Sequence, residues 1–132
     1  MSGALPIKRL DARATMPTRA HPDDAGLDLY ALEDVSLTAG QGALARTGVA
    51  VAVPSAHVGL IADRSSLAKR GLKTAGGVID AGYRGELSVV LWNISGVPQK
   101  IAAGERLAQL LIVPVATPAV VEVEDLGTTA RG

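Results

Sequence analysis

Apolar and polar positions alternate along residues 25–31: Leu27, Leu29 and Ala31 take one face, Asp28 and Tyr30 the other. That period of two predicts a short half-buried strand. The same grammar recurs in short pieces through most of the chain. Leu5 to Leu10 alternates loosely and reads as a first strand, an edge or an arm that pairs with a partner. Asp11 to Asp24 is polar, broken by Pro17 and Pro22, and reads as a loop. Glu33 to Gln41 carries turn residues at Thr38-Ala39-Gly40, and Ala43 runs on into the β-rich stretch Val49 to Val53, stopped by Pro54. His57 to Ala62 is another short strand. From Leu87 to Ile94, Leu87, Val89 and Leu91 share one face while Val90 and Trp92 sit on the other, which predicts burial on both sides. The run Leu107 to Val113 is apolar except for Gln109, a residue either satisfied internally or aimed into a site. Val115 to Leu126 is a last extended segment with Pro118 inside it, as expected of an edge or of an excursion onto a neighbour.

One stretch breaks the rhythm. Asp63-Arg64-Ser65-Ser66-Leu67-Ala68-Lys69-Arg70-Gly71 predicts a helix of about two turns, with Asp63 or Ser65 as N-cap. Lys69 and Arg70 suit its last turn and Gly71 the position just past its end. Arg64 and two serine hydroxyls beside unpaired backbone N–H groups make either an anion site, most naturally for phosphate, or an ordinary capped surface helix. Many short strands with Gly and Pro punctuation and a single short helix predict an all-β sandwich or barrel. With neither repeat nor linker, residues 1–126 read as one domain, followed by a flexible tail over 127–132.

Composition narrows the function classes. Thirteen basic and 13 acidic residues cancel, so bulk charge points to neither nucleic acid nor a membrane surface as partner. There is no cysteine, hence no disulfide framework and no thiolate metal site. His21 and His57 are too few and too far apart to predict a zinc site. Met1 to Leu10 lacks the apolar core of a signal peptide, and Leu107 to Val121 is too broken to span a membrane, so the cytoplasm is the expected compartment.

The richest chemistry lies in Gly76-Gly77-Val78-Ile79-Asp80-Ala81-Gly82-Tyr83-Arg84-Gly85-Glu86-Leu87. It reads as a strand end, a tight turn freed by glycines, and re-entry into a strand. Asp80 is either a turn residue bonding nearby N–H groups or a functional carboxylate. The chain has two Tyr, one Trp and no Phe, so a ring spent on a glycine-rich turn argues for a small-molecule site. Asp28, on the Tyr30 face, is either a solvated strand residue or a carboxylate aimed at a cation or ordered water.

Four segments fall in one order: Ala25-Gly26-Leu27-Asp28-Leu29, Arg64-Ser65-Ser66-Leu67-Ala68, Gly77 to Glu86, and Gly104-Glu105-Arg106-Leu107-Ala108-Gln109-Leu110. Together, across nearly the whole chain, they resemble the trimeric dUTPase family. The resemblance implies a jelly-roll β domain in a homotrimer with C-terminal arm exchange and active sites at subunit interfaces. It implies Mg²⁺-assisted hydrolysis of dUTP to dUMP and pyrophosphate by water attack on the α-phosphate. That reaction limits uracil in DNA and supplies dUMP for thymidylate synthesis. Under it Asp80 is the general base, and Tyr83 packs under the deoxyribose. The backbone around Gly77, Val78 and Ile79 pairs with uracil. Arg64, Ser65, Ser66 and Gln109 hold phosphate oxygens, and Asp28 meets Mg²⁺ through water.

Four departures from the family pattern stand out. Ser66 occupies a position more usually Gly, the hairpin before Asp80 is shorter, and the Asn often found there is absent. The family's fifth motif begins Arg-Gly and continues into a glycine-rich, aromatic run that closes over substrate. Here Arg131-Gly132 ends the sequence, with Arg131 as the expected γ-phosphate ligand, so the expectation is nucleotide binding with slow turnover. The alternatives are a dCTP deaminase-like enzyme, with Glu86 or Glu105 as its catalytic glutamate, and a lid-less nucleotide-binding regulatory trimer.

Overall fold

The computed structural model describes residues 3–132. It is built from eleven short strands and one helix: β1 (Ile7–Arg9), β2 (Leu27–Tyr30), β3 (Val35–Leu37), β4 (Gly42–Arg46), β5 (Val49–Val51), β6 (His57–Ala62), α1 (Ser65–Ala68), β7 (Leu72–Thr74), β8 (Val78–Ile79), β9 (Ser88–Asn93), β10 (Gln99–Ile101) and β11 (Arg106–Pro114). The strands form four antiparallel sheets that do not close on one another, ordered β2-β11-β6-β8, β4-β9-β7, β1-β5 and β10-β3. The all-β expectation holds. Among the described residues no helix is long and apolar enough to cross a membrane.

The predicted alternation is borne out where it was strongest. Leu27, Leu29 and Ala31 are buried, and β6 spans His57–Ala62 as read from the sequence. Leu29, Leu37, Leu72, Leu87, Leu91, Ile101, Leu107 and Leu110 fill one core, each all but inaccessible to solvent.

β1 pairs with β5 of its own chain in a two-stranded sheet, Ile7 opposite Val51, and so is an edge, one of the two readings its sequence offered. Three expectations change. The helix is four residues long rather than two turns, with Arg64 at its N-cap position and no side-chain cap. Asp63 is drawn away from the helix by Thr74, whose N–H and hydroxyl both donate to Oδ1 at 2.6 Å. Gly71, with φ of +83°, ends the turn region. β9 is buried on one face only: Val89 and Leu91 point into the core, while Val90, Trp92 and Ile94 are exposed. Leu44 on β4, directly opposite Val90, extends this apolar outer face. Lastly, residues 115–132 form no strand and are exposed throughout. Only their first residue is tied back, through the Val115 N–H to the Ala56 carbonyl at 2.9 Å.

Among the described residues Asn93 is the one fully buried side-chain amide. Its Nδ2 donates to the carbonyls of Leu37 and Val97 at 3.0 and 2.8 Å, linking two sheets. Among the described residues no buried side-chain polar atom lacks a partner, as a native-like interior requires.

Candidate active site

Strand order gathers three of the four segments, those around Asp28, Arg64 and Gln109. β11 lies between β2 and β6, with Gln109 opposite Asp28 on one side and Ala62 on the other. Ala62 leads directly into Asp63, Arg64 and α1. One register position thus collects Asp28, Gln109 and the helix entry. They line an open cleft of about 370 Å³ with Gly26, Asp24, Ser65 and Arg106. Gln109 resolves the ambiguity of its sequence context: Nε2 donates to the Asp63 carbonyl at 2.9 Å, and the side chain lines the cleft. Gly26 leaves the space it occupies, since a β-carbon built there would lie 2.8 Å from Gln109 Cδ.

The electrostatics of this cleft are set by arginines. Asp28 lies 3.3 Å from Arg64 Nε and 3.5 Å from Arg106 Nε. Arg64 also donates through Nη1 to Ser66 Oγ at 3.2 Å. Arg106 sits over the Tyr30 ring, 5.9 Å from its centroid, and donates weakly to the Tyr30 hydroxyl. The Thr18 hydroxyl, 2.6 Å away, and then Arg106 hold the Tyr30 hydroxyl below its usual pKa. Sequence reasoning misses Arg106 as a site residue; its one sign is its place in the fourth segment, immediately before Leu107-Ala108. A second open depression, lined by Arg64, Ser66, Arg70 and Arg106, adjoins the first through shared Arg64 and Arg106. Arginine forks with serine hydroxyls are suited to polyphosphate oxygens.

Behind the cleft, Asp63 ties it to β7. Burial alone would raise its pKa, but the Thr74 hydroxyl and N–H, with Lys73 at 3.2 Å, outweigh it and leave the carboxyl below the usual aspartate value.

The third segment forms a separate cleft of about 230 Å³, lined by Val78, Ile79, Asp80, Tyr83, Glu86 and Ser88. Asp80 is exposed at the turn after β8, and its carbonyl accepts from the Tyr83 N–H at 3.1 Å. β8 is an edge strand held only by β6, with Ile79 opposite Gly59 and Val78 opposite Leu60. The Ile61 N–H donates to the Gly77 carbonyl at 3.1 Å. Antiparallel bonding alternates, so the N–H and C=O of Val78 face the free edge. A donor and an acceptor side by side on an open edge match the edge of a pyrimidine such as uracil.

These two clefts share no lining residue. β8 runs antiparallel to β6, so beyond Ile79, opposite Gly59, the chain carries Asp80 toward Val58. Arg64 lies past the opposite end of β6. From Val58 to Ala62 is four steps, roughly 13 Å at ~3.3 Å per residue, with Arg64 further still. Within one chain, Asp80 and the arginine–serine cleft do not converge on one atom. Arg131, exposed in the last turn, lines neither cleft.

Among the described residues no group of three His, Cys, Asp or Glu side chains gathers at one point. Asp28 stands beside two guanidinium groups rather than other carboxylates. This donor set suits a Mg²⁺ carried by substrate oxygens and water, and not a protein cage. Glu86 is engaged by Arg46 Nε at 3.2 Å and by the Gly48 N–H at 2.9 Å.

The dUTPase family model matches residues 12–132. The deoxyuridine 5'-triphosphate nucleotidohydrolases of Mycobacterium marinum and Mycobacterium leprae are each 48% identical over 141 aligned positions, covering 100% of this chain and 92% of theirs. Among solved structures, a Staphylococcus bacteriophage 80alpha dUTPase with dUpNHpp superposes with a TM-score of 0.94 at 32% identity, over 99% of this chain and 95% of that one. A mutant dUTPase from phage phi11 of S. aureus, described as coordinating a structural Mg(II) ion, gives 0.88 at 33% identity, over 93% and 98%.

Proposed function

This chain belongs to the dUTPase family and hydrolyses dUTP to dUMP and pyrophosphate, and we propose that the work is divided between its two clefts on different copies of the chain. Asp80 holds the water that attacks the α-phosphorus and takes up its proton as the new P–O bond forms. The bond from the α-phosphorus to the bridging oxygen breaks, and pyrophosphate leaves. Arg64, the Ser65 hydroxyl, Ser66 and Gln109 hold the phosphate oxygens and stabilise the charge that builds on the leaving group. The Val78 N–H and C=O pair with the uracil edge, flanked by Gly77 and Ile79, and discriminate because a wrong base leaves buried polar groups unpaired. Tyr83 lies under the sugar, where a 2′-hydroxyl would collide. Mg²⁺ bound to the triphosphate would neutralise phosphoryl charge, with Asp28 facing its water shell. Arg131 would hold the terminal phosphate from the exposed tail, residues 127–132 serving as an appendage to the domain that ends at 126.

The separation of Asp80 from the arginine cleft carries this reading. A homotrimer with the site between copies brings the two together. The exposed apolar face of Leu44, Val90 and Trp92, and the exposed apolar segment with Val120, Val121 and Leu126, both support association with further copies of this chain. The test is a product assay with Mg²⁺ and dUTP, dTTP, UTP and dCTP in parallel. dUMP and pyrophosphate from dUTP alone, lost in Asp80→Asn, is the expected result. A deaminated product from dCTP would overturn it.

A further inference from the structure

The sugar-reading ring of the Asp80 cleft is exposed, yet it is held in one orientation by an anchor that the reaction itself does not use. The Tyr83 ring lies across Gly85 so closely that a β-carbon built there would fall 2.5 Å from its hydroxyl oxygen and 2.7 Å from Cζ. The Tyr83 hydroxyl donates to the Glu86 carbonyl at 2.9 Å. The ring is thereby folded back onto the two residues that follow its own turn.

Those residues are in turn fixed to a distant part of the chain. The Glu86 carboxylate accepts from Arg46 Nε through both oxygens at 3.2 Å and from the Gly48 N–H at 2.9 Å. Next to it, the Leu87 N–H donates to the Val49 carbonyl at 2.8 Å, and the Thr47 hydroxyl donates to the Leu87 carbonyl at 2.6 Å. The backbone thus stitches Leu87 to residues 47–49, whereas Glu86 is stitched there only through its side chain. With Arg46 at 42% exposure, the ion pair is solvated and contributes little by itself. The N–H bond to an ionised carboxylate is the stronger link. Its geometry matters most, because Glu86 lines the cleft that Asp80 and Tyr83 share.

We infer that Glu86, held by Gly48 and Arg46, is a positioning residue that fixes the Tyr83 ring as the surface excluding a ribose. This rests on the reading of Tyr83 as the residue beneath the sugar. Freed from its anchor, the 83–86 turn shifts, the ring no longer blocks the 2′-hydroxyl, and preference for the deoxynucleotide falls.

The measurement is the ratio of kcat/KM for dUTP over UTP in Tyr83→Ala, Glu86→Ala, Glu86→Gln and Arg46→Met, each assayed well below its Tm. Tyr83→Ala and Glu86→Ala are expected to lower the ratio by on the order of tenfold or more. Glu86→Gln keeps one acceptor for the Gly48 N–H and should fall between wild type and Glu86→Ala. The Tyr83→Ala, Glu86→Ala double variant should lose no more than the larger single loss, because both act through one ring. If Tyr83→Ala lowers the ratio while the Glu86 and Arg46 variants leave it unchanged, or lower both rates equally, Glu86 is merely structural and the inference is overturned. If Tyr83→Ala itself leaves the ratio unchanged, the reading of Tyr83 is wrong and the inference goes with it. Should Glu86→Ala not fold, Glu86→Gln and Arg46→Met carry the same comparison.

Discussion

Gly26 and Gln109 occupy one space between them: a β-carbon added to the glycine would lie 2.8 Å from Gln109 Cδ and 2.9 Å from its Cβ. The contact involves the root of the glutamine as well as its flexible end, so rotation alone does not relieve it. Gly26→Ala should therefore destabilise the fold by about 1–3 kcal/mol through overpacking. It should also displace Nε2 from the Asp63 carbonyl and from the cleft proposed to hold phosphate. Losing one hydrogen bond to a charged phosphate corresponds to roughly a ten- to hundredfold fall in kcat/KM. Thermal melting and steady-state kinetics on the same preparation check both halves; unchanged kinetics would mean that Gln109 is not a substrate ligand.

Asp80→Asn removes a proton acceptor from an exposed turn while keeping its shape. Loss of a general base is expected to lower kcat by about 10²–10⁴-fold. Stability should move by no more than about 0.5 kcal/mol, as for an exposed side chain away from structural contacts. Binding of a non-hydrolysable dUTP analogue, followed by calorimetry, should persist. Tight binding with normal turnover would remove Asp80 from the mechanism.

The all-β class and several of its strands were legible in the sequence. The alternation around β2 is long enough for a period of two to show, and β6 read as a strand from its apolar run. The three-residue strands β3, β7 and β10 are too short for any period to register. Lys69-Arg70-Gly71 imitates the end of a longer helix, which is why α1 read as two turns. Asp63 read as a cap because capping is local; its capture by Thr74, 11 residues on, is tertiary. The Arg46–Glu86 pair spans 40 residues and leaves no mark in local pattern. Burial of Trp92 followed from counting apolar residues on both faces of β9, whereas a single chain covers only one.

The state of Asp63 gives the fold an acid dependence. Its carboxyl is below the usual aspartate value when folded, so it contributes stability that is fully present above the unfolded pKa. That contribution is lost as pH falls through the folded pKa. Asp63→Asn retains an acceptor for the Thr74 N–H and hydroxyl but does not titrate. Melting temperatures should show a smaller acid-side loss in the variant than in wild type below about pH 4, with the two curves running parallel above it. Identical acid limbs would assign the acid sensitivity to other carboxylates, such as Asp11, which Arg13 holds down to about 2.

Mixing two inactive chains tests whether the clefts meet between copies. Asp80→Asn keeps the arginine cleft intact, and Arg64→Ala keeps the Asp80–Tyr83 cleft intact. If each active site takes Arg64 from one chain and Asp80 from the next around a ring, either variant alone fails at every site. Chains reassorted at random from an equal mixture place an intact Asp80 beside an intact Arg64 in about a quarter of the sites of a cyclic assembly. Co-refolding the two should therefore restore on the order of a quarter of wild-type activity, and sedimentation should show the reassorted species at the size of a trimer. A site complete within one chain gives no recovery at any mixing ratio, because every chain then carries one broken half. The along-strand distance from Asp80 to Arg64 argues for recovery: β6 would have to bend back on itself for one chain to hold both ends of the same phosphate.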